Sequence, residues 1–170
     1  GTAQMGHDAA YYHAGKSAGC AFFTAFPFGF TMGEMAAWIK HGNGQKLWDE
    51  LYAPFGIRGF QAGSTGTQMF GWFRREIRSL ADLDGLKFRT PGNQGRVLQK
   101  LGVTPVSLPG GEIFPALQSG AIDGAEWVGP YNDLALGFYQ VCRYYYSPGY
   151  HEPGPALQLT VNEQAWRSLP

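Results

Sequence analysis

Four residues stand where predicted strands end or begin, and together they could hold a small ligand. Arg89 ends one predicted strand, Glu126 and Trp127 end another, and Gln68 follows a polar turn that contains glycine. In open α/β sheets, ligands bind at the carboxyl ends of the strands. Because the planar guanidinium of arginine donates two parallel hydrogen bonds to a carboxylate, the position of Arg89 suits a small carboxylate ligand.

Residue type and position alone leave a plainer interpretation open. An arginine such as Arg89 is more often part of a surface ion pair, and such pairs contribute little to stability. Glu126 would then be its structural partner. The sequence pattern does not decide between a ligand-binding and a structural role.

The motifs of common enzymes are incomplete in this sequence. Gly15-Lys16-Ser17 lacks the upstream glycine of a phosphate-binding loop, since Ala10 occupies that position. The histidines show no helical metal-binding spacing and are interpreted as surface or core residues: His7, His13, His41 and His151. No nucleophile, base and oxyanion hole occur together, so we expect a protein that is not an enzyme.

Composition excludes several classes of partner. Thirteen basic and thirteen acidic residues give a formal net charge of zero, whereas nucleic-acid-binding proteins usually carry a basic excess. No apolar run approaches the roughly 20 residues of a membrane-spanning helix.

The two cysteines, Cys20 and Cys142, could be buried thiols or could pair in an oxidising compartment. The first residues do not resemble a signal peptide, so we expect that such a segment is absent or has been removed.

The elements that must position Arg89 and Glu126 alternate between strand and helix. The predicted order is a strand over Leu86–Arg89, a helix from Asn93 to Leu101, a strand over Val103–Leu108, a helix over Glu112–Ser119 and a strand over Ala121–Val128. This alternation predicts right-handed crossovers and a largely parallel sheet.

Other elements are predicted on both sides of this unit. Thr31 and Glu34 form a capping-box pattern before a helix that ends at His41. The remaining predictions are a helical segment around residues 9–13 within the stretch 1–16, a strand over Cys20–Ala25, a helix over Gln45–Tyr52, strands over Ile57–Gln61, Gln68–Phe73, Tyr139–Tyr146 and Leu157–Val161, a helix from Tyr131 to Phe138, and a last helix capped by Asn162.

Several segments together resemble a known family. They are Phe88-Arg89-Thr90-Pro91-Gly92, the run from Gly111 to Gly120, Ile122-Asp123-Gly124-Ala125-Glu126-Trp127, Leu47-Trp48-Asp49-Glu50-Leu51-Tyr52 and Pro27-Phe28-Gly29. The chain is similar to the DctP family of extracytoplasmic solute receptors, which serve tripartite ATP-independent periplasmic (TRAP) transporters. Within that family it resembles the subgroup that binds 2-oxo acids such as pyruvate, and lactate.

The resemblance implies a receptor that closes over a carboxylate and delivers it to membrane subunits in the periplasm. Arg89 would clamp the ligand carboxylate, and Tyr12 would contact the ligand from the other lobe. A metal ion, Na⁺ or Ca²⁺, would be held by Gln68, Glu126 and the backbone of Trp127. Oxygen ligands of this kind suit hard cations.

The fold implied by the resemblance is a type II periplasmic-binding-protein-like α/β fold with a parallel or mixed sheet. Residues 1–60 and 128–170 would belong to the first lobe, and residues 61–127 would form the ligand-binding second lobe. Family members are roughly twice as long, so we expect a fold that lacks parts at both ends. The bulk of Phe70, where the subgroup usually has glycine, could crowd the site.

Two further expectations follow from the shortened fold. The chain is expected to pair its exposed sheet edges and form a homodimer. The alternative function is a receptor-derived stand-alone or oligomeric domain that has lost transport, which would also be compatible with a cytoplasmic location.

Overall fold

The computed structural model describes residues 3–170. In chain order the strands are β1 (Met5–Asp8), β2 (Ile57–Ser64), β3 (Gly71–Phe73), β4 (Lys87–Arg89), β5 (Thr104–Val106), β6 (Gly124–Ala125), β7 (Tyr144–Tyr146) and β8 (Ala156–Asn162). The α-helices are α1 (Met32–His41), α2 (Gly44–Tyr52), α3 (Gly92–Gln99), α4 (Gly110–Ser119), α5 (Pro130–Ala135) and α6 (Glu163–Arg167). Short 3-10 helices occupy Ala10–His13, Ala18–Phe23, Ala53–Phe55, Leu80–Leu83 and Phe138–Gln140. None of the helices in this described part is long and apolar enough to cross a lipid bilayer.

These elements form two compact units. The first unit contains residues 3–66 and 153–170, and the second contains residues 67–152. The sequence-based division assigns residues 1–60 and 128–170 to the first lobe. Residues 1 and 2 of that lobe lie outside the described residues. In the structure, the chain returns to the first unit only after Glu152, because β7 pairs with β3 of the second unit.

The first unit is built on a three-stranded antiparallel sheet in the order β1-β8-β2. Helices α1 and α2 pack beside this sheet, and their buried side chains include Ile39, Trp48 and Tyr52. The Tyr52 hydroxyl donates to the Gln158 side chain at 2.7 Å, and Gln158 donates in turn to Asp8 at 2.6 Å. This buried chain of hydrogen bonds ties α2 to both β8 and β1.

One of the two predictions for the start of the chain is wrong. The helical segment expected around residues 9–13 is the 3-10 helix Ala10–His13, which follows β1, whereas the expected strand Cys20–Ala25 is largely a 3-10 helix. β8 already has β1 and β2 as its two neighbours, so the sheet has no central place for another strand. Phe23 instead stacks between Trp38 and Trp48, with ring centroids at 5.5 and 5.0 Å.

Two of the helix predictions that rest on capping residues are confirmed, whereas Asn93 lies inside α3 and does not cap it, because that helix already begins at Gly92. Thr31 and Glu34 form the expected capping box at the start of α1. The Asn162 side chain accepts hydrogen bonds from the backbone N–H groups of Gln164 and Ala165 at the start of α6. Helix α4 ends at Ser119 and is followed by Gly120, which adopts the left-handed conformation that favours glycine.

The second unit contains a five-stranded mixed sheet in the order β5-β4-β6-β3-β7. Strands β5, β4 and β6 are parallel, as the strand–helix alternation predicts, and α3 and α4 make the crossovers. Strands β3 and β7 add an antiparallel side. The strands are shorter than predicted, because the chain leaves the sheet directly after Ala125 rather than at Val128.

Aromatic and aliphatic side chains fill the second unit on both sides of its sheet. One cluster centres on Phe73 and Phe88, whose rings stack at 4.9 Å. The other cluster includes Ile113, Phe138 and Cys142. Cys20 and Cys142 are both free and buried, and burial raises the pKa of the Cys142 thiol to about 11.

The close approach of strands around Gly124 gives the first testable prediction. A Cβ atom at this position would lie 2.6 Å from the Trp72 carbonyl oxygen and 2.9 Å from the Phe88 ring. We expect Gly124→Ala to lower the free energy of unfolding by about 1–3 kcal/mol, measured by urea denaturation, because backbone must move to make room.

Gly111→Ala in α4 is the matched control. A Cβ atom at Gly111 would meet no atom within 4 Å. Since alanine favours a helix over glycine by about 1 kcal/mol, this substitution should leave stability unchanged or raise it. Equal destabilisation by both substitutions would contradict the assigned packing.

Candidate functional site

Arg89 is the buried centre of the candidate site. It ends β4, and its side chain is 1% exposed. Its Nη1 donates to the Glu126 carboxylate at 2.7 Å and to the Glu126 carbonyl at 3.0 Å, while Nε donates to the Leu108 carbonyl at 3.0 Å. The guanidinium carbon lies 5.2 Å from the centre of the Trp127 ring. Glu126 and Trp127 are therefore direct contacts of Arg89.

Parallel strand pairing brings these residues together. β4 pairs with β6, which sets Arg89 opposite Ala125, and the backbone N–H of Glu126 donates to the Arg89 carbonyl at 3.1 Å. The chain then leaves the sheet, so the Glu126 and Trp127 side chains lie at the carboxyl end of the parallel strands. This is the edge at which ligands bind in open α/β sheets.

The Glu126 carboxylate has different surroundings at its two oxygens. Oε1 accepts the hydrogen bond from Arg89, whereas Oε2 is buried and accepts none from residues 3–170. Oε2 lies 3.7 Å from Nε2 of His151, too far for a hydrogen bond. A buried carboxylate oxygen in this state is a ready ligand for a cation.

His151 and Glu152 complete a group of three that the sequence did not reveal. One ligand atom each from Glu126, His151 and Glu152 lies within 4.8 Å of the other two, and all three residues are buried. Neither ring nitrogen of His151 has a hydrogen-bond partner within the described chain. His151 is thus beside the candidate site, and its interpretation as an unrelated core histidine missed this. The only available signal was the adjacent His-Glu pair in a turn rich in glycine and proline.

Backbone hydrogen bonds join Gln68 and its neighbour Met69 to two other segments of the second unit. Its backbone N–H donates to the Glu152 carbonyl at 3.1 Å, and its carbonyl accepts from the Gly149 N–H at 3.1 Å. The next residue, Met69, donates to the Val128 carbonyl at 2.9 Å. The Gln68 residue is 3% exposed. Backbone hydrogen bonds therefore connect Gln68 to the segments that carry Trp127 and His151.

The Trp127 side chain is closely packed, whereas its backbone carbonyl has no partner among the described residues. The close approach of its ring requires glycine at position 110, because a Cβ there would lie 2.6 Å from Cη2 of the indole. Among the hydrogen bonds of residues 3–170, none ends on the Trp127 carbonyl oxygen. That oxygen is available as a ligand atom.

The Asp133 carboxylate accepts four hydrogen bonds, two of them from the segment that follows Trp127. Its Oδ1 accepts from the backbone N–H groups of Val128 and Gly129 at 3.1 and 3.0 Å. Its Oδ2 accepts from Nε1 of Trp72 at 3.0 Å and from the Tyr145 hydroxyl at 2.7 Å. Burial and this hydrogen bond raise the pKa of the Tyr145 hydroxyl above its ordinary value, so it remains a donor.

Two other residues from the sequence analysis have clear positions. Tyr12 belongs to the first unit, on the 3-10 helix Ala10–His13, and is 45% exposed. Phe70 packs its ring against Phe73 at 5.6 Å and Phe88 at 6.0 Å. Phe70 also meets His151 edge-on at 6.5 Å, so it forms a wall beside the candidate cation ligands.

The charges and donor atoms of the second unit fit a bound cation. Arg89 and Glu126 form a buried ion pair, and the carboxylate of Glu152 lies close to that of Glu126. Glu126 Oε2 and the Trp127 carbonyl are oxygen atoms without a hydrogen bond from the described residues. Such oxygen donors suit Na⁺ or Ca²⁺.

Comparisons with known proteins agree on one family. A monocarboxylate 2-oxoacid-binding periplasmic protein of Nostoc is 51% identical over 170 residues, which are 100% of this chain and 47% of that protein. A TRAP periplasmic solute-binding protein of Pseudoalteromonas atlantica, solved with sodium and pyruvate, is 49% identical with a TM-score of 0.97. The match covers 100% of this chain and 51% of that structure.

A third relative adds a different ligand. A TRAP transporter solute-binding protein of Bordetella bronchiseptica was solved as a dimer with calcium and picolinate at one active site. It is 45% identical with a TM-score of 0.97, over 100% of this chain and 51% of that one. The chain thus spans about half the length of the relatives it matches.

The family model for bacterial extracellular solute-binding proteins, family 7, matches residues 1–170. The match agrees with the strand-end residues, the mixed sheet and the related structures, and it confirms the resemblance found in the sequence. This chain belongs to family 7 of the bacterial extracellular solute-binding proteins, the DctP family.

Proposed function

We propose that this chain binds a small 2-oxo or 2-hydroxy acid, such as pyruvate or lactate, together with Na⁺ or Ca²⁺, as the solute receptor of a TRAP transporter. The observation that carries the proposal is the buried Arg89–Glu126 ion pair beside carboxylate and carbonyl oxygens that accept no hydrogen bond from the described residues. The ligand-binding residues proposed are Arg89, Gln68, Glu126, Trp127 and Tyr12.

Charge balance favours binding of the carboxylate together with a cation. Glu126 already balances the charge of Arg89, so a ligand carboxylate would add an unbalanced negative charge to the buried pair. Burying unbalanced charge is costly, so the anion alone would bind poorly. A cation bound beside the pair would offset the charge of the ligand carboxylate.

The cation would be held by the Gln68 side chain, the Glu126 carboxylate and the Trp127 carbonyl, with His151 and Glu152 adjacent. When bound, it supplies the positive charge that attracts the oxygens of the acid. Arg89 contributes directional hydrogen bonding to the carboxylate, and its contact with Glu126 keeps the guanidinium in a fixed orientation. Trp127 covers the guanidinium with an apolar ring and excludes water from that side.

The names of the relatives support a place in transport rather than catalysis. The Nostoc relative is a periplasmic binding protein, and the solved relatives are solute-binding components of TRAP transporters. We extend these properties to this chain as a proposal: it acts in the periplasm, it delivers its ligand to TRAP membrane subunits, and it performs no chemistry on the ligand.

The second candidate function is a receptor-derived domain that has lost transport. Its specific support is that Nε and Nη1 of Arg89 already donate to Leu108 and Glu126 within the protein. In that case Arg89 has a structural role, and adding a carboxylate would not change the stability of the chain. The two candidates therefore differ in the outcome of one titration.

Replacing Arg89 tests the proposed carboxylate contact. Arg89→Lys retains the positive charge that balances Glu126 but removes the planar guanidinium, which can donate two parallel hydrogen bonds to a carboxylate. We expect the Kd for pyruvate in calcium buffer to rise about 10–100-fold, the equivalent of one charge-assisted hydrogen bond of about 1.5–3 kcal/mol. Isothermal titration calorimetry measures this change.

Arg58→Lys is the matched control, since Arg58 makes an ion pair with Glu163 at 2.7 Å in the first unit. It should bind pyruvate as the unmodified chain does. If Arg89→Lys also binds unchanged, Arg89 does not grip the ligand. If no carboxylate binds to the unmodified chain in sodium or calcium, the second candidate function is favoured.

Replacing Glu126 tests the proposed cation contact. Glu126→Gln keeps the size of the side chain but removes a charge, so calcium affinity should fall by more than about tenfold, since even groups that only support metal ligands contribute about 10–100-fold. Thermal unfolding across a calcium titration, with pyruvate present, measures the effect. Glu163→Gln, which disturbs an ion pair in the first unit, should leave the calcium response intact.

We also propose that the chain forms a homodimer through a sheet edge. β1 is an edge strand of the three-stranded sheet, and edge strands readily pair with another chain. The dimer of the Bordetella bronchiseptica relative supports this proposal. We expect sedimentation equilibrium to give twice the mass of the chain, and a stable compact monomer across the concentration range would refute the dimer.

A further inference from the structure

We propose that Asp133 is a positioning residue that aims the Trp127 carbonyl oxygen at the bound cation. The inference rests on the proposed function, because it requires that the Trp127 carbonyl is a cation ligand. It concerns a residue that touches neither the carboxylate nor the cation. Its basis is the geometry of two successive peptide groups and the hydrogen bonds that fix them.

The first step is the planarity of the peptide group. The Trp127 carbonyl and the Val128 N–H belong to one peptide plane, and in a trans peptide they point in opposite directions. Asp133 Oδ1 accepts the Val128 N–H at 3.1 Å. By holding that N–H on one side, Asp133 turns the Trp127 oxygen to the other side.

The second step is that the peptide groups on either side are also fixed. The Gly129 N–H donates to Asp133 at 3.0 Å, and the Val128 carbonyl of the same plane accepts from Met69 at 2.9 Å. On the other side, the Glu126 carbonyl accepts from Arg89 at 3.0 Å. The Trp127 carbonyl thus lies between fixed neighbours and receives no hydrogen bond from the described chain.

The third step is that Asp133 is itself anchored to the sheet. Oδ2 accepts from Trp72 on β3 and from Tyr145 on β7, and the rings of these two residues stack at 4.0 Å. Asp133 is 1% exposed. Its position is therefore set by the sheet, and the loop that carries Trp127 takes its position from Asp133.

A carboxylate is the side chain that these four bonds require. All four partners are donors, and an ionised carboxylate only accepts, with room for about four hydrogen bonds. An asparagine has one accepting atom and one donating group, so its NH₂ would face either the Trp72 N–H or the backbone N–H groups. Asp133→Asn should therefore disturb the loop while changing almost no volume.

The experiment follows a lanthanide probe at the proposed cation site. Tb³⁺ replaces Ca²⁺ at oxygen-rich sites, and a nearby tryptophan sensitises its luminescence. Decay rates in H₂O and D₂O give the number of water molecules on the ion. With pyruvate present, we expect Asp133→Asn to weaken Tb³⁺ binding about 10–100-fold, as supporting groups do, and to add one water in place of the Trp127 carbonyl.

The matched control is Tyr145→Phe, which removes one sheet-side donor and leaves both loop-side bonds and the Trp72 bond in place. It should keep the Tb³⁺ affinity within about twofold and the water count unchanged, although it loses a buried hydrogen bond. A variant that is merely less stable therefore behaves differently from one that misplaces the carbonyl.

A rescue variant keeps the inference testable if Asp133→Asn folds poorly. Asp133→Asn combined with Trp72→Phe removes the conflicting indole N–H, so the amide NH₂ can donate to the Tyr145 oxygen while the amide oxygen retains the loop. The double variant should show the same water count as Trp72→Phe alone and nearly the same Tb³⁺ affinity.

The outcomes separate the inference from the proposed function. If the unmodified chain binds neither Tb³⁺ nor pyruvate, both the proposed function and the inference fail. If it binds both, and Asp133→Asn shows the affinity and water count of the unmodified chain, only the inference is overturned. Should Asp133→Asn not fold, the inference is overturned when the double variant binds Tb³⁺ clearly more weakly than Trp72→Phe alone or carries an additional water on the ion.

Discussion

The buried ion pair between Arg89 and Glu126 is the interaction on which the second unit depends. Both side chains are 1% exposed, so each has lost the water that would stabilise its charge. Such a pair is retained only when hydrogen bonds replace the lost hydration, and Arg89 obtains them from Glu126 and the Leu108 carbonyl. The parallel pairing of β4 with β6 makes this arrangement possible, since it places the two residues side by side at one edge.

The same pair explains how a structural interaction and a binding role can coexist. Arg89 uses one carboxylate oxygen of Glu126, and the other oxygen faces His151 and Glu152. A cation beside that second oxygen would place Glu126 between two positive groups. A ligand carboxylate could then approach Arg89 without making the site more negative overall. The structural and ligand-binding interpretations of Arg89 are therefore compatible physically.

The sequence predicted the parts of the site that follow from local rules. Arg89 ends β4 and Glu126 follows β6, so their proximity is predictable from the regular strand–helix alternation, and α1 and α6 are predictable from their capping residues. The sequence did not reveal His151, because the turn that carries it has no periodicity and reaches Glu126 only through the folded sheet. Cys20–Ala25 was assigned to a strand on hydrophobicity alone, whereas the aromatic rings that surround Phe23 come from distant residues. All five residues proposed as ligand contacts, Arg89, Gln68, Glu126, Trp127 and Tyr12, stay predictions.

A backbone ligand leaves no signature at its own position in the sequence, since every residue has a carbonyl oxygen. What constrains the sequence is the side chain that fixes the direction of that oxygen. Asp133 is six residues beyond Trp127 and would ordinarily be interpreted as an acidic residue in the first turn of a short helix. The four groups that donate hydrogen bonds to Asp133 come from two strands and one loop, so Asp133 connects the peptide plane of Trp127 and Val128 to the sheet. If the Trp127 carbonyl binds the cation, as proposed, Asp133 fixes the direction of that ligand atom. The residues that determine this site therefore extend beyond those that would touch its contents.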